Sequence, residues 1–274
     1  MTERPAFTFP APMLLFGCGN MAGAMVEGWM AAGADGAHFH IVKPTSRNLP
    51  NGALHFTEAK AAPHQYDRLM IAIKPYMLAD RAGEIASLLK PGALVISILG
   101  GVSTDSLAHH FPGCRILRVM PNLAAALGKS PLGLFAKGLN DADRADAETW
   151  LSALGTPYWM AAENDMHGFT AIAGCAPAYL YRFIGALAAA GTQLGMAPDQ
   201  AERLAREMTE GAAMLAAQSP YSPAELASRV ASKGGSTAAG LAVMDEDEAI
   251  LRLMQRTLRA AHDRSVEQGK EAEG

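Results

Sequence analysis

Three short stretches of this chain carry residue types whose spacing could do chemistry. The first is Gly17-Cys18-Gly19-Asn20-Met21-Ala22. The apolar run Leu14-Leu15-Phe16 ends at Gly17, and a helical pattern of Met21, Met25, Trp29 and Met30 begins almost at once. Glycine at 17 permits a sharp exit from a strand. Glycine at 19 lets the backbone approach a pyrophosphate, and Ala22 is small enough for the helix to pack on the strand. The first N–H groups of such a helix, with its positive dipole end, favour phosphate. The stretch is a candidate dinucleotide site; the other reading is a glycine turn without a ligand. About twenty residues further on, where an adenosine ribose would lie, Lys43-Pro44-Thr45-Ser46-Arg47 offers two cations and no carboxylate. A ribose 2′-phosphate suits Lys43, Ser46 and Arg47, so NADPH is the expected cofactor, with NADH possible. The alternative is a solvated basic loop.

A second kind of anion site is written in Ser232-Lys233-Gly234-Gly235-Ser236-Thr237. Two glycines expose backbone N–H groups, and a short helix is expected from about Thr237, an arrangement that binds carboxylates. It is also what a plain helix–helix turn looks like. Lys233 either adds charge to such a site or points to water. Other chemistries find no support. The eight histidines show no H-x-x-H or H-E-x-x-H spacing, there is no G-x-S-x-G, and Cys18, Cys114 and Cys175 have neither paired nor metal-type spacing. No metal is expected, and a reduced, cytoplasmic setting is the simple reading.

The elements that must position these residues follow from the apolar pattern. Strands are expected at Leu14–Phe16, His38–Val42, Leu69–Ile73, Leu94–Leu99, Cys114–Val119, Leu132–Phe135 and Thr156–Trp159, with a short one near Ala53–Phe56. Helices are expected between them, including one carrying Ile85, Leu88 and Leu89, one over Thr104–His110 and one over Asp141–Ala153. Continuous apolar strands alternating with helices mark a sheet covered on both faces, a Rossmann-type doubly wound α/β domain over residues 1–162. From Glu163 no strand is found. Helical stripes over about 163–194, from Pro198, from Ser222-Pro223 and from Asp245 predict an all-α domain over residues 163–274, with a frayed polar tail from Glu267. Pro177, inside the first of these helices, removes a backbone hydrogen bond and bends it. About a hundred residues of Ala, Gly and Met-rich helix make a small core alone, so a homodimer through residues 163–266 is expected. The 274 residues carry a net charge of -4, which argues against nucleic acid. Residues 1–12 lack a leader's apolar core, and no uninterrupted apolar run reaches about twenty residues, so no membrane partner is expected.

Taken together, the motifs resemble the pyrroline-5-carboxylate reductase family over nearly the whole chain. The resemblance is carried by Gly17 to Ala22, Ile73-Lys74-Pro75, Ser97 to Gly101, Arg118-Val119-Met120-Pro121-Asn122, Ala173-Gly174-Cys175-Ala176-Pro177-Ala178-Tyr179 and Ser232 to Thr237. It implies hydride transfer from a nicotinamide to the C=N carbon of a cyclic imine carboxylate, the last step of proline biosynthesis. It implies that Ala72, Ile73, Lys74 and Pro75 run along the cofactor and that Asn122 lies near its nicotinamide end. Thr237 would contact the ring nitrogen, and the backbone at Ala238 and Ala239 would hold the carboxylate. Ala173–Ala178 would lie beside the substrate, and a homodimer or a ring of dimers would be the assembly. The chain departs from the family where Ala173, Cys175 and Ala176 replace serines and glycine, where Lys233 replaces proline, at Leu123-Ala124, and at His167, where aspartate is common. A reductase of a related cyclic imine acid and a catalytically silent nucleotide-binding relative are the rival readings. β-Hydroxyacid dehydrogenases are disfavoured, because the helix through Gln193 carries no lysine.

Overall fold

The computed structural model describes residues 9, 10, 12–63 and 65–273. The expectation about a leader rests partly on residues 1–8 and 11, which lie outside the described residues. Two compact units emerge: one comprises the chain through Cys175 together with the segment from Ala261 onward, the other residues Ala176–Ala260.

The first unit is built on one eight-stranded sheet. In chain order it runs β1 (Met13–Phe16), α1 (Asn20–Ala31), β2 (Phe39–Val42), β3 (Leu54–Phe56), β4 (Tyr66–Ile71), α2 (Leu78–Ala86), β5 (Leu89–Ser97), α3 (Thr104–His110), β6 (Arg115–Met120), β7 (Ser130–Lys137), α4 (Asp141–Leu151) and β8 (Gly155–Trp159). The strand order is β3-β2-β1-β4-β5-β6-β7-β8, parallel except for β6 against β7. Strand periodicity sends alternate side chains to opposite faces. Leu15, Met70, Ile96 and Leu117 meet Met25, Val26 and Trp29 of α1 and Trp150 of α4 on one face. Leu14, Leu69, Ile71, Val95 and Ile116 meet Leu78, Ile85, Leu107 and Phe111 on the other. Trp29 is fully buried and donates its indole N–H to the Trp150 carbonyl at 2.8 Å. Emptying such a site by truncation to alanine costs about 3–5 kcal/mol.

Two local details differ from the sequence reading. Helix α2 stops at Ala86, and Leu89 already belongs to β5, which lengthens that strand at its start. Asn122 opens a 3₁₀ turn over Leu123–Leu127 that reverses the chain, so β7 returns antiparallel to β6. Gly28 of α1 lies where this turn approaches: a Cβ there would strike the Ala125 carbonyl.

By packing, the first compact unit runs on to Cys175, past the boundary expected at residue 162. Residues 163–175 belong to the first unit, because α5 (Asp165–Phe169) buries Met166 and seats Phe169 on β7. A Cβ on Gly133 would come within 2.6 Å of the Phe169 ring. A π-helical turn over Thr170–Cys175 follows, ending two residues before Pro177, and replaces the simple bend expected of that proline.

The tail corrects another expectation. It is not frayed: the last helix continues to Glu273, and its segment from Ala261 returns to the sheet. Gly101, with φ +80°, admits the backbone of Gln268; a Cβ at 101 would be 2.9 Å from the Gln268 carbonyl. Ser265 is buried, Ala272 packs against the second core, and Arg264 bridges to Glu267 and Glu271. The polar composition that reads as a frayed end is a solvated helix face whose other face is seated.

The second unit is helical throughout. Helices α6 (Ala176–Gln193) and α7 (Pro198–Gln218) form a hairpin closed at Gly195, with φ +98°. Then come α8 (Pro223–Val230), α9 (Ser236–Asp245) and the first half of α10 (Ala249–Glu273). The hairpin packs through small residues; a Cβ on Gly191 would touch Ala201 at 3.4 Å. Ser222 and Glu225 form a reciprocal cap on α8, worth about 1 kcal/mol. Among the described residues one helical stretch, Asp165–Gln193, is long and apolar enough to cross a membrane by length and composition, although Asp165 and Arg182 interrupt its apolar run.

Removing residues 262–274 should lower the thermal midpoint by about 4–8 °C, the shift that ~2 kcal/mol produces in a chain of this size. Differential scanning fluorimetry of the truncated and full chains tests this; an unchanged midpoint would return the segment to the status of a loose end.

Candidate nucleotide and anion sites

The glycine loop forms where three parallel strands end together. Gly17 donates its N–H to the Val42 carbonyl at 2.9 Å, and Ala72 donates to Phe16 at 2.9 Å. Gly17 has φ +89°, and a Cβ on it would lie 2.6 Å from the Ala72 carbonyl and 3.0 Å from Ile73. Only glycine fits. Gly19 is the N-cap of α1; no side chain caps this helix, and its first turn carries no acidic residue. A Cβ on Gly19 would point into open space. Ala22 is buried against the sheet. The first N–H groups of α1, at Asn20, Met21 and Ala22, are thus left for an outside acceptor, which fits a pyrophosphate.

The loop after β2 is organised by its own backbone. Lys43 donates its N–H to Phe56 at 2.9 Å and its Nζ to the Arg47 carbonyl at 2.6 Å, while a His55 ring nitrogen meets the Lys43 carbonyl. Ser46 and Arg47 are exposed. Cys18 is buried, and burial pushes its thiol up, with the nearby Lys43 charge opposing. A buried, protonated thiol is inert packing. Lys74 is exposed at the start of a 3₁₀ turn over Pro75–Met77, directly beyond β4. Gly17, Cys18, Gly19, Ala22, Lys43, Ala72 and Ile73 are therefore gathered at one sheet edge.

Asn122 stands apart from this group. It is buried, its Oδ1 accepts from the Ala124 N–H, and its Nδ2 donates to the Ala173 carbonyl, both at 2.9 Å. Its backbone N–H donates to Ser130 Oγ at 2.9 Å. Its side chain is engaged with the protein.

In the second unit, Ser232–Gly235 is a tight turn. Gly235 donates its N–H to the Ser232 carbonyl at 3.0 Å, and Gly234 has φ +73°. Gly235 is the N-cap of α9, with no side-chain cap, so the N–H groups of Ser236, Thr237 and Ala238 are uncapped. The first helical bond, from Ala239 to Gly235, is 3.1 Å. Lys233 and Thr237 are exposed and Ala239 lies in the first turn. The helix begins at Ser236, one residue before the expected start.

Sequence reasoning missed a polar network on the first unit. Arg118, on β6 and buried, pairs with Glu163. The same carboxylate accepts from the Thr104 N–H and hydroxyl, each at 2.7 Å. Beside it, His167 Nδ1 lies 2.9 Å from Ser265 Oγ, and its ring faces His262 at 6.1 Å. Burial pushes the His167 pKa down; the Arg118 and His262 charges add to this and Glu163 opposes it. No periodicity announces partners dozens of residues apart; the only sequence signal was an arginine inside an apolar strand.

An open parallel sheet with an uncapped glycine-loop helix, followed by a helical module, defines the class of dinucleotide-dependent oxidoreductases. Comparison with known proteins agrees. Residues 13–101 match the family model "NADP oxidoreductase coenzyme F420-dependent", and residues 163–268 match "Pyrroline-5-carboxylate reductase dimerisation". Pyrroline-5-carboxylate reductases of Pasteurella multocida and Pseudomonas aeruginosa are each 32% identical, with 93% of this chain and 96% of theirs covered. The chain belongs to the pyrroline-5-carboxylate reductase family. A crystal structure of Plasmodium falciparum pyrroline carboxylate reductase with NADP bound superposes with TM-score 0.84 at 25% identity, covering 94% of this chain and 98% of that one. The Coxiella burnetii reductase gives 0.84 at 28% identity over the same shares.

Because folded His167 holds its proton less tightly than an unfolded histidine, the unfolded state binds more protons in acid. Stability is therefore full above the ordinary histidine value of 6.5 and falls as pH drops through and below it. Thermal melts between about pH 7.5 and 5.5 should show this loss, and His167→Gln should make it shallower. Identical slopes in the two proteins would remove His167 from the effect.

Proposed function

We propose that this chain reduces 1-pyrroline-5-carboxylate to proline with NADPH. The observation that carries the reading is the pair of uncapped helix starts, α1 behind Gly17 and Gly19 and α9 behind Gly234 and Gly235, in a chain related over 93% of its length to reductases of that name. NADPH, when bound, supplies a hydride to the imine carbon. The chain's residues bind, orient and neutralise. The N–H groups of Asn20, Met21 and Ala22 receive the pyrophosphate. Ser46 and Arg47 receive the 2′-phosphate, in a loop that Lys43 holds closed through the Arg47 carbonyl. Ala72 to Pro75 line the cofactor beyond β4.

A protonated cyclic imine is already electrophilic, so holding it in place is most of the work. The uncapped N–H groups of the α9 start, with Ala238 and Ala239, receive the carboxylate. The Thr237 hydroxyl hydrogen-bonds the ring nitrogen, which becomes a secondary amine as the carbon gains hydride. Lys233, exposed and without an ion pair among the described residues, adds positive charge beside that turn.

The working form is a homodimer in the cytoplasm. Among the described residues of the second unit, Ala201 and Ala205 are buried apolar residues, while Leu180, Phe183, Leu187, Leu204, Met208 and Leu215 are exposed by 38–62%. Such a surface suits a second copy. Sedimentation velocity at micromolar protein should give a dimer or larger; a monomer would refute this.

NADPH oxidation followed with pyrroline-5-carboxylate and with its six-membered homologue tests the activity. The five-membered substrate and NADPH should give the higher kcat/KM. Thr237→Ala should lower kcat/KM for the imine at least about tenfold, the loss of one hydrogen bond, and leave the KM for NADPH unchanged. A preference for the six-membered ring, or no turnover with either, would overturn the assignment.

A further inference from the structure

We infer that Asn122 is a positioning residue whose carboxamide replaces the backbone donor that Pro177 removes. Residue 177 stands four positions after Ala173, so in an α-helix its N–H would satisfy the Ala173 carbonyl. Proline has no N–H, and its ring would clash with that carbonyl. The helix answers with a π turn over Thr170–Cys175, and the Ala173 carbonyl accepts from Asn122 Nδ2 at 2.9 Å instead.

The Asn122 side chain is held for this task from every side. It is 7% exposed. Oδ1 accepts from the Ala124 N–H, which fixes the amide's orientation and aims Nδ2 at Ala173. The backbone N–H is anchored by Ser130, itself fully buried, and the backbone carbonyl accepts from Ala125 at 3.0 Å. Gly174 completes the contact: a Cβ there would sit 3.8 Å from Met120 Sδ, so the turn lies directly on the end of β6. Thr170 adds a side-chain bond to the Met166 carbonyl at 2.7 Å within the same turn. The result is a latch from the tip of β6 to the last turn of the first unit. The resemblance puts Asn122 near the nicotinamide end of the cofactor; from there its carboxamide acts through Ala173. The consequence for catalysis rests on the proposed reductase reading, in which the segment from Ala173 borders the substrate.

The test is a double-mutant cycle. Asn122→Asp keeps the size and the acceptor toward Ala124 but cannot donate to Ala173. Pro177→Ala restores a backbone N–H for the same carbonyl. Asn122→Asp should lower the thermal midpoint and reduce kcat for imine reduction about tenfold, with the KM for NADPH changed less than twofold. The same substitution in the Pro177→Ala background should cost less than half as much in midpoint, because Ala173 then has its helical donor. Amide exchange of residues 170–175 should speed up in Asn122→Asp and slow again in the double variant. Additive midpoints, or exchange rates in that turn unmoved by Asn122→Asp, would overturn the inference. So would a rise in the KM for NADPH that dominates the kinetic defect. The midpoint and exchange arms need no turnover, so they stand or fall separately from the reductase assignment.

Discussion

Three strand ends converge at Gly17, and no side chain fits between them. The bonds from Gly17 to Val42 and from Ala72 to Phe16 bring β1, β2 and β4 to a common edge. The Ala72 carbonyl occupies the space a Cβ would need. That exclusion forces the chain to turn away at once, so α1 starts three residues beyond Gly17, behind an N-cap, Gly19, that offers no side chain. The uncapped donors follow from the close approach and need no added binding residue. A side chain at 17 would separate the strands and move the helix start together, so sheet packing and phosphate recognition share one determinant.

At the other end of the sheet, the determinant is a buried charge. Arg118 sits in an apolar strand, where an unpaired guanidinium would be very costly. Glu163 neutralises it and spends its remaining acceptors on both donors of Thr104. Removing one partner of such a pair usually costs about 3–5 kcal/mol. The chain leaving β8 is therefore tied to the start of α3 before the helical stretch begins. Asn122 repeats the pattern: a polar side chain just beyond β6 satisfies the Ala173 carbonyl, a backbone group that the helix cannot satisfy itself.

How much was legible in the sequence depended on the range of the signal. Local constraints could be read directly. Gly17 and Gly19 before a helix, continuous apolar strands, and Ser222-Pro223 at a helix start each act within a few residues. Direction and distance could not. The run Leu132–Phe135 reads as a strand either way, and the antiparallel β7 depends on the 3₁₀ turn at Leu123–Leu127. The tail from Glu267 looks polar, yet Gly101 accepts its backbone, a contact 167 residues distant in the chain that composition does not encode. Asn122 was noticed for the right reason, a polar group at a strand tip, but its partner was hidden because Pro177 creates the need for it from another element.

The second unit poses a different physical problem. Its helices are apolar enough to need cover, and a stretch such as Asp165–Gln193 could by length and composition find that cover in lipid. The charges of the neighbouring helix would make that cover expensive. α7 packs along α6 and carries Asp199, Glu202, Arg203, Arg206, Glu207 and Glu210 among its apolar residues, with a Glu202–Arg206 pair at 3.5 Å. Placing that hairpin in hydrocarbon would strand several charges, each costing kilocalories. Against a protein surface the same charges would stay at a wet rim, while Leu180, Phe183 and Leu187 would meet side chains. The small residues of α6, Ala178, Gly185 and Ala186, lie beside Tyr181 and Arg182 around an open cavity of about 610 Å³. A surface of large apolar knobs beside small-residue hollows is what two like copies can fill reciprocally, which a fluid bilayer does not require.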